Sequence, residues 1–312
     1  MRFEKKDILD MESLDTGEIS MILDMAEGMK EISERPVKKV PTLRGKTIVL
    51  FFQEPSTRTK LSFDTAAKRL SADSISISKS ASSIVKGETL IDTAKNLEAM
   101  KPDVIVLRHP SSGAPHLIAR HVKSSVINAG DGIHAHPSQA LLDMMSVREK
   151  KGTLKGLRIS IIGDIAHSRV ARSDITGFSK MGAKVSVCAP GTMIPMGIEK
   201  LGCKVFSSID ACIEGADIIM MLRIQKERQE NILFPTEREY ASLYGLNNQR
   251  LKNAKADVLI MHPGPMNRGV EIASNVADSD HSIVLEQVTN GVALRMALFY
   301  LAAGGSRHAD TD

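Results

Sequence analysis

Ser56, Thr57, Arg58 and Thr59 follow one another where a strand-like apolar run, residues 46–53, gives way to residues 60–70, whose apolar spacing is that of an amphipathic helix. Three hydroxyls and a guanidinium at a helix N-terminus suit an anion. Free backbone N–H groups and the positive end of the helix dipole favour negative charge there, and an arginine fork matches phosphate oxygens. A plainer alternative is that Ser56 caps its helix and Arg58 is a solvated surface charge. This segment alone does not choose between them.

Polar groups recur at equivalent places further on. Arg108, His109 and Pro110 follow the strand-like DVIVL, and His134, His136, Pro137, Ser138 and Gln139 follow SVINAGDG. Arg169 follows ISIIGDIAHS, Arg223, Ile224 and Gln225 follow ADIIMML, and His262-Pro263-Gly264-Pro265 follows ADVLI. The carboxyl ends of strands are where open α/β sheets bind ligands. Taken singly, a strand-end arginine reads as a solvated charge, and a histidine before proline as a helix-entry residue with one structural hydrogen bond. Five such places in succession, with four arginines counting Arg58, point to an anionic ligand with several negative groups in a crevice between two sheets. Other chemistries lack their signals. The turn at residues 162–169 has no second or third glycine of GxGxxG, and GxxxxGK[ST], HExxH and GxSxG are missing, which disfavours dinucleotide binding, kinase-like ATP use, zinc proteolysis and the usual hydrolase triad.

Two sheets are expected from the order of the elements. The runs TIVLFF, SISIS, DVIVLR and SVINAG alternate with the helical LSFDTAAKRL, TLIDTAKNLEAM and APHLIARHV, as parallel βαβ units do. The alternation restarts at LRISIIG after the charged turn REKKGTLKG. A length of 312 residues, against about 150 per domain, also predicts two domains. The reading is an α/β chain of two doubly wound parallel-sheet domains, their boundary along the helix starting near Pro137, with the apolar helix before Gly304 and Gly305 packing back on the first. Residues 78–89 and 226–250 read as long mobile loops, lids or connectors.

Composition narrows the partners. A net charge of +4 gives no reason to expect nucleic acid and favours anionic small molecules. Cys188, Cys203 and Cys212 are odd in number with no CxxC pair, which argues against a disulfide framework or a zinc site and for a reducing compartment. The first residues build no apolar signal region, and no window approaches the ~18 apolar residues of a membrane span. A cytoplasmic chain without membrane contact is expected.

Together these residues resemble the aspartate and ornithine carbamoyltransferases over nearly the whole chain. Ser56-Thr57-Arg58-Thr59 is similar to the carbamoyl-phosphate motif of both branches, and His136-Pro137-x-Gln139-x-Leu141-Leu142-Asp143 to their second shared motif. His262-Pro263-Gly264-Pro265 looks like the His-Pro-x-Pro of the aspartate branch, where the ornithine branch has His-Cys-Leu-Pro. Gly264 stands where some relatives carry a larger apolar residue, at what would be a backbone contact. Residues 85–89 look like the family's mobile lysine loop, and residues 163–170 and 223–228 like its aspartate-binding segments.

The resemblance implies attack of the L-aspartate amine on the carbonyl carbon of carbamoyl phosphate, giving N-carbamoyl-L-aspartate and phosphate, the committed step of de novo pyrimidine synthesis. No cofactor, metal or side-chain nucleophile is implied. Residues 1–145, completed by a C-terminal helix at 287–312, would bind carbamoyl phosphate, and residues 146–286 aspartate. Ser56, Thr57, Arg58 and Thr59 would hold the phosphate; Thr59, Arg108 and His136 would contact the carbonyl oxygen; Gln139 and the backbone of Gly264 and Pro265 would take the carbamoyl NH2. Arg169, Arg223 and Gln225 would clamp the two carboxylates. Lys86 would act as a lid cation on a loop that, with Ser82, reaches a neighbouring subunit's site, so a homotrimer with shared active sites is implied. Whether that trimer stands alone, joins regulatory chains or docks onto dihydroorotase is left open. Glu54 and Arg228 read equally as domain-closing ion pairs or surface salt bridges.

Two competing readings stay in view: a non-catalytic anion-binding chain on the same fold, and transfer to ornithine or an acylated analogue. If Arg58 stabilises the charge that develops on the leaving oxygen, Arg58→Ala lowers turnover by a factor on the order of 10² or more, about 3 kcal/mol. Unchanged steady-state kinetics in that variant would remove Arg58 from the mechanism.

Overall fold

The β-branched runs form strands, and every ladder between them is parallel. The computed structural model describes residues 3–78, 87–225 and 236–304. Its chain divides into two units, Met1–Met145 with Thr289–Asp312, and Ser146–Val288.

In the first unit β1 (Thr47–Phe52), β2 (Asp73–Ser78), β3 (Val104–His109) and β4 (Ser125–Asp131) lie in the order β2-β1-β3-β4. The connecting helices are α2 (Thr57–Arg69), α3 (Leu90–Ala99) and α4 (Ala114–Ala119), preceded by α1 (Thr16–Glu34) and followed by α5 (Pro137–Lys151). Helices on both faces leave the inner strand β1 without a solvent side, buried at five of six positions, and β4, at the sheet's edge but bridged there by Ile8, is buried at all seven. Val49, Phe51, Ile105, Leu107, Ile118 and Val126 make one side of that core. The edge strand β2 forms where the run SISIS was read. No residue of it is fully buried, and Ile75 is 50% exposed.

The second unit carries β5 (Arg158–Ile162), β6 (Lys184–Cys188), β7 (Cys203–Phe206), β8 (Ile218–Met221) and β9 (Leu259–Met261) in the order β7-β6-β5-β8-β9. Helix α6 (Arg169–Lys180) follows β5, and the short α7 (Ile209–Ile213) packs near β5, β6 and β7. Part of the polar stretch expected as a loop is helical. Thr236 caps α8 (Glu237–Tyr244) by accepting from the Glu239 N–H, and the buried Tyr240 anchors it. Then come α9 (Asn248–Leu251), α10 (Ser274–Ala277) and α11 (Val284–Ala302), which begins earlier than its apolar run suggests and from Thr289 onward belongs to the first unit. No helix among the described residues is long and apolar enough to cross a membrane.

Each sheet is wound outward from an internal first strand, so chain order reverses once. In the first unit the reversal falls between β1 and β3, in the second between β5 and β8. Connections leave these strand pairs in opposite directions and open a crevice at their carboxyl ends, the place an open parallel sheet offers to a ligand.

Candidate active site

The reversal point in the first unit collects the residues singled out in its sequence. Phe52 of β1 pairs with Arg108 of β3, so the segment leading to Ser56 and the Arg108 side chain leave the sheet side by side. Ser56 is the N-cap of α2, but its hydroxyl makes no capping bond, and the first turn, Thr57, Arg58 and Thr59, contains no acidic residue. The simple capping alternative therefore fails. Amide N–H groups, hydroxyls and a cation converge at an end whose dipole no carboxylate of the same turn offsets. Thr57 and Arg58 are exposed, while Ser56 and Thr59 are half-buried. Arg108 donates from Nη1 to the Ala129 carbonyl at 3.1 Å and pairs through Nη2 with Glu54 Oε1 at 3.4 Å. Those contacts tie it to β4 and to the segment that follows β1.

The loop from β4 to α5 is folded around the buried carboxylate of Asp131, which accepts from Asn128 Nδ2 (2.8 Å), the Gly113 N–H (2.6 Å) and the Ala135 N–H (3.1 Å). His134 adds Nδ1 to Asp131 Oδ2 at 3.0 Å. That wrapping fixes where His136 emerges, 4% exposed, just ahead of Pro137 at the first position of α5. One turn into α5, Gln139 Nε2 donates to both oxygens of Asp143, at 3.0 and 3.3 Å. A carboxylate only accepts, so it claims the amide's NH2 and turns Gln139 Oε1 the other way, as an acceptor. Asp143 carries no assigned role in the sequence reading. Its signal there is the spacing of four residues from Gln139, which puts both on one helix face.

The reversal point of the second unit collects another set. Gly163 leaves β5 with φ +133°, where a Cβ would stand 2.5 Å from the Leu222 carbonyl oxygen, so only glycine lets the exits of β5 and β8 approach this closely. Beyond it the buried Asp164 accepts from His167 Nδ1 (2.8 Å), the His167 N–H (3.2 Å) and the Gln225 N–H (3.2 Å), and Gln225 Nε2 donates to the His167 carbonyl at 3.0 Å. One carboxylate thus ties the loop carrying Arg169 to the loop carrying Arg223 and Gln225. Arg169 opens α6, 3% exposed, behind the N-cap Ser168; Arg223 is half-buried.

After β9, His262 Nδ1 accepts the Gly264 N–H at 2.8 Å, so the ring's proton belongs on Nε2, which faces the buried Glu271 Oε1 at 3.3 Å. Glu271 Oε1 also takes the Asn267 N–H. This pair shapes the turn at Gly264 (φ 63°), whose bond to Pro265 is cis. Lys86 and Ser82, assigned to the lid, and Arg228 lie outside the described residues.

Residues 6–149 match the family described as aspartate/ornithine carbamoyltransferase, carbamoyl-P binding domain, and residues 155–302 match its Asp/Orn binding domain. The chain belongs to the aspartate/ornithine carbamoyltransferase family. Among relatives of this carbamoyltransferase, the aspartate carbamoyltransferase catalytic subunit of Desulforapulum autotrophicum is 80% identical over the whole of both chains. The ornithine carbamoyltransferase of Pyrococcus furiosus, 29% identical, superposes with a TM-score of 0.88 over 98% of this chain and 99% of its own. Aspartate transcarbamoylase from Trypanosoma cruzi, 27% identical, does so at 0.88 with N-(phosphonacetyl)-L-aspartic acid bound, covering 96% of each chain. With carbamoyl phosphate and aspartate bound its TM-score is 0.86, over 96% and 97%.

Protonation matters in the loop that presents His136. The bond to Asp131 raises the pKa of His134 above the usual 6.5. Burial pushes Asp131 up, but the His134, Asn128 and Gly113 donors outweigh it and hold the carboxyl below 3.8. For His134, stabilisation is complete below the unfolded value and disappears as pH rises through the raised folded one. For Asp131 it is present above the unfolded value and disappears as pH falls through the depressed one. Urea melts of the wild type and His134→Gln across about pH 5 to 9 therefore show a stability gap that is widest at the acid end, near about pH 5, and closes on the alkaline side. A gap independent of pH would break this assignment.

Proposed function

We infer that this chain transfers the carbamoyl group of carbamoyl phosphate to the amine of L-aspartate, giving N-carbamoyl-L-aspartate and phosphate. Full-length 80% identity to a catalytic subunit of that activity carries the reading. The two reversal points supply the chemistry. The amine nitrogen attacks the carbonyl carbon, the bond from that carbon to the bridging oxygen breaks, and a proton from the amine leaves with the phosphate. Nothing in this sequence needs a covalent enzyme intermediate. Catalysis comes from positioning and from stabilising charge on the carbonyl and leaving oxygens.

The site geometry supports the following roles. The open N-terminus of α2, with Ser56, Thr57, Arg58 and Thr59, receives the phosphate, and Arg58 offsets charge on the departing oxygen. Arg108, Thr59 and His136 donate toward the carbonyl oxygen. Gln139, turned by Asp143 to present its oxygen, accepts from the carbamoyl NH2, as do carbonyls at Gly264 and Pro265. In the second unit Arg169 and Arg223 take the two carboxylates, for which bidentate guanidinium forks are better suited than lysine. Gln225 spends one amide N–H on the His167 carbonyl and keeps another for substrate. The working assembly in this proposal is a cytoplasmic homotrimer serving pyrimidine synthesis, with Ser82 and Lys86 completing a neighbour's site.

Incubation with carbamoyl phosphate and either L-aspartate or L-ornithine, following carbamoylated product, tests the reaction. Product with aspartate alone is expected; product with ornithine alone overturns the arginine clamp, and none with either overturns the activity. Site sharing has its own test. Arg58→Ala and Lys86→Ala chains, each inactive, regain part of the activity when mixed into hybrid trimers, and verified hybrids without any recovery exclude sharing.

A further inference from the structure

The turn after β9 is built by two buried side chains that no proposed step uses. His262 is 2% exposed, and Glu271 has no exposed surface. His262 Nδ1 accepts the Gly264 N–H at 2.8 Å, a bond to a residue two further on, like those that Asn and Asp side chains form in turns. Histidine can make it only when Nδ1 carries no proton. With a proton there, two N–H groups would face each other and the Gly264 amide would lose its acceptor. Glu271 selects the right form, because a carboxylate oxygen 3.3 Å from Nε2 can only accept and so holds the ring's proton on that side.

Both members of the pair are anchored independently of each other. The Glu271 carbonyl accepts the Leu246 N–H, and the Leu246 carbonyl accepts the Ala273 N–H, each at 2.9 Å, which fastens this stretch to the segment that follows α8. Glu271 Oε1 also takes the Asn267 N–H, beyond the turn. On the other side the His262 N–H donates to Oε1 of the buried Gln287 at 3.0 Å. The chain from Pro263 to Met266 is thus clamped at both ends, and the contact between Glu271 and His262 ties the two ends together. That contact has a cost. Glu271 Oε2 is buried and meets no donor among the described residues, whereas an apolar side chain would remove both the desolvation and the unmet oxygen. A buried carboxylate half satisfied in this place is accounted for by what it orients.

We propose that Glu271 is a positioning residue that, by fixing the tautomer of His262, aims the Gly264 and Pro265 carbonyls at the carbamoyl NH2 and so sets the preference for a carbamoyl over an acetyl group. The proposal rests on the reading that those carbonyls accept from that NH2. Acetyl phosphate isolates the contact, since it carries a methyl group where carbamoyl phosphate carries NH2 and has nothing to donate. Inorganic phosphate isolates the α2 terminus, which lies in the first unit, whereas His262, Glu271 and their partners all lie in the second.

The experiment measures KM for carbamoyl phosphate, and inhibition constants for acetyl phosphate and phosphate, in the wild type, Glu271→Met, Glu271→Gln, His262→Asn and His262→Leu. In Glu271→Met, KM for carbamoyl phosphate rises by about tenfold, the worth of roughly one hydrogen bond. The acetyl phosphate and phosphate constants stay within about twofold, so the preference for the carbamoyl compound falls. Glu271→Gln keeps an acceptor of the same shape for Nε2 and retains most of that preference. His262→Asn can make the bond to the Gly264 N–H without any choice of tautomer, so it keeps more of the preference than His262→Leu. If Glu271→Met does not fold, the two His262 variants settle the matter: equal preference in both overturns the proposal. A preference in Glu271→Met equal to that of the wild type, or equal weakening toward all three phosphates, assigns Glu271 to stability only and also overturns it. Absence of carbamoylated product in the wild type would instead strike the proposed function, a distinct result.

Discussion

Like-charge repulsion is the constraint behind this architecture. An acyl phosphate and a dicarboxylate must come to bonding distance, and two unit charges 4 Å apart repel by about 1 kcal/mol in water and about 4 kcal/mol at an effective dielectric near 20. Several such pairs would exceed what shape complementarity returns. A doubly wound parallel sheet meets this with fixed charge. At each reversal of strand order a helix N-terminus and two strand exits converge, and arginines placed there are held by backbone. The contrast within the first unit is instructive. Helix α1 satisfies its own start through a capping box between Asp15 and Glu18, whereas α2 has neither a capping bond from Ser56 nor an acid in its first turn. The second terminus keeps its positive potential for a ligand.

Behind the donors stands a layer of carboxylates. Asp131, Asp143, Asp164 and Glu271 are each fully buried, each against a group the proposed mechanism uses or a loop that carries one. An ionised carboxylate accepts and never donates, so it dictates which face of an amide, imidazole or peptide turns inward and which turns toward substrate. Gln139 is the clearest case: without Asp143 its oxygen and NH2 are nearly equivalent in shape, and only one of the two orientations offers an acceptor. Burying such groups costs free energy that an apolar core would not. The return is an orientation set before substrate arrives, the condition under which electrostatic stabilisation is effective.

Much of this was legible because two periodicities survive in the chain. Apolar runs alternating with helical spacing gave both sheets, and polar residues just past those runs gave the strand exits, since backbone geometry fixes where a strand's end points. What escaped had no periodic mark. α8 opens on three charged residues and only Tyr240 in it is buried, so the segment reads as a loop until tertiary packing of that one ring is known. The carboxylate layer escaped for the opposite reason. Aspartate reads as surface, and only the four-residue spacing between Gln139 and Asp143 hints otherwise.

Fold alone does not choose between the two branches of the family, since an ornithine enzyme and an aspartate enzyme superpose on this chain equally well, both at 0.88. In the proposed function the sheets determine where a second substrate binds, and a few side chains at the β5 and β8 exits determine which one. Aspartate and ornithine share an α-amino acid head and differ in the sign of the side-chain charge, negative in one and positive in the other. An arginine at position 223, on the loop that Asp164 ties to the loop carrying Arg169, attracts a carboxylate and repels an ammonium group. Reversing a charge therefore changes the interaction twice over, once by losing attraction and once by adding repulsion. Discrimination of this kind needs no change in backbone, which is why two activities can share one architecture so closely.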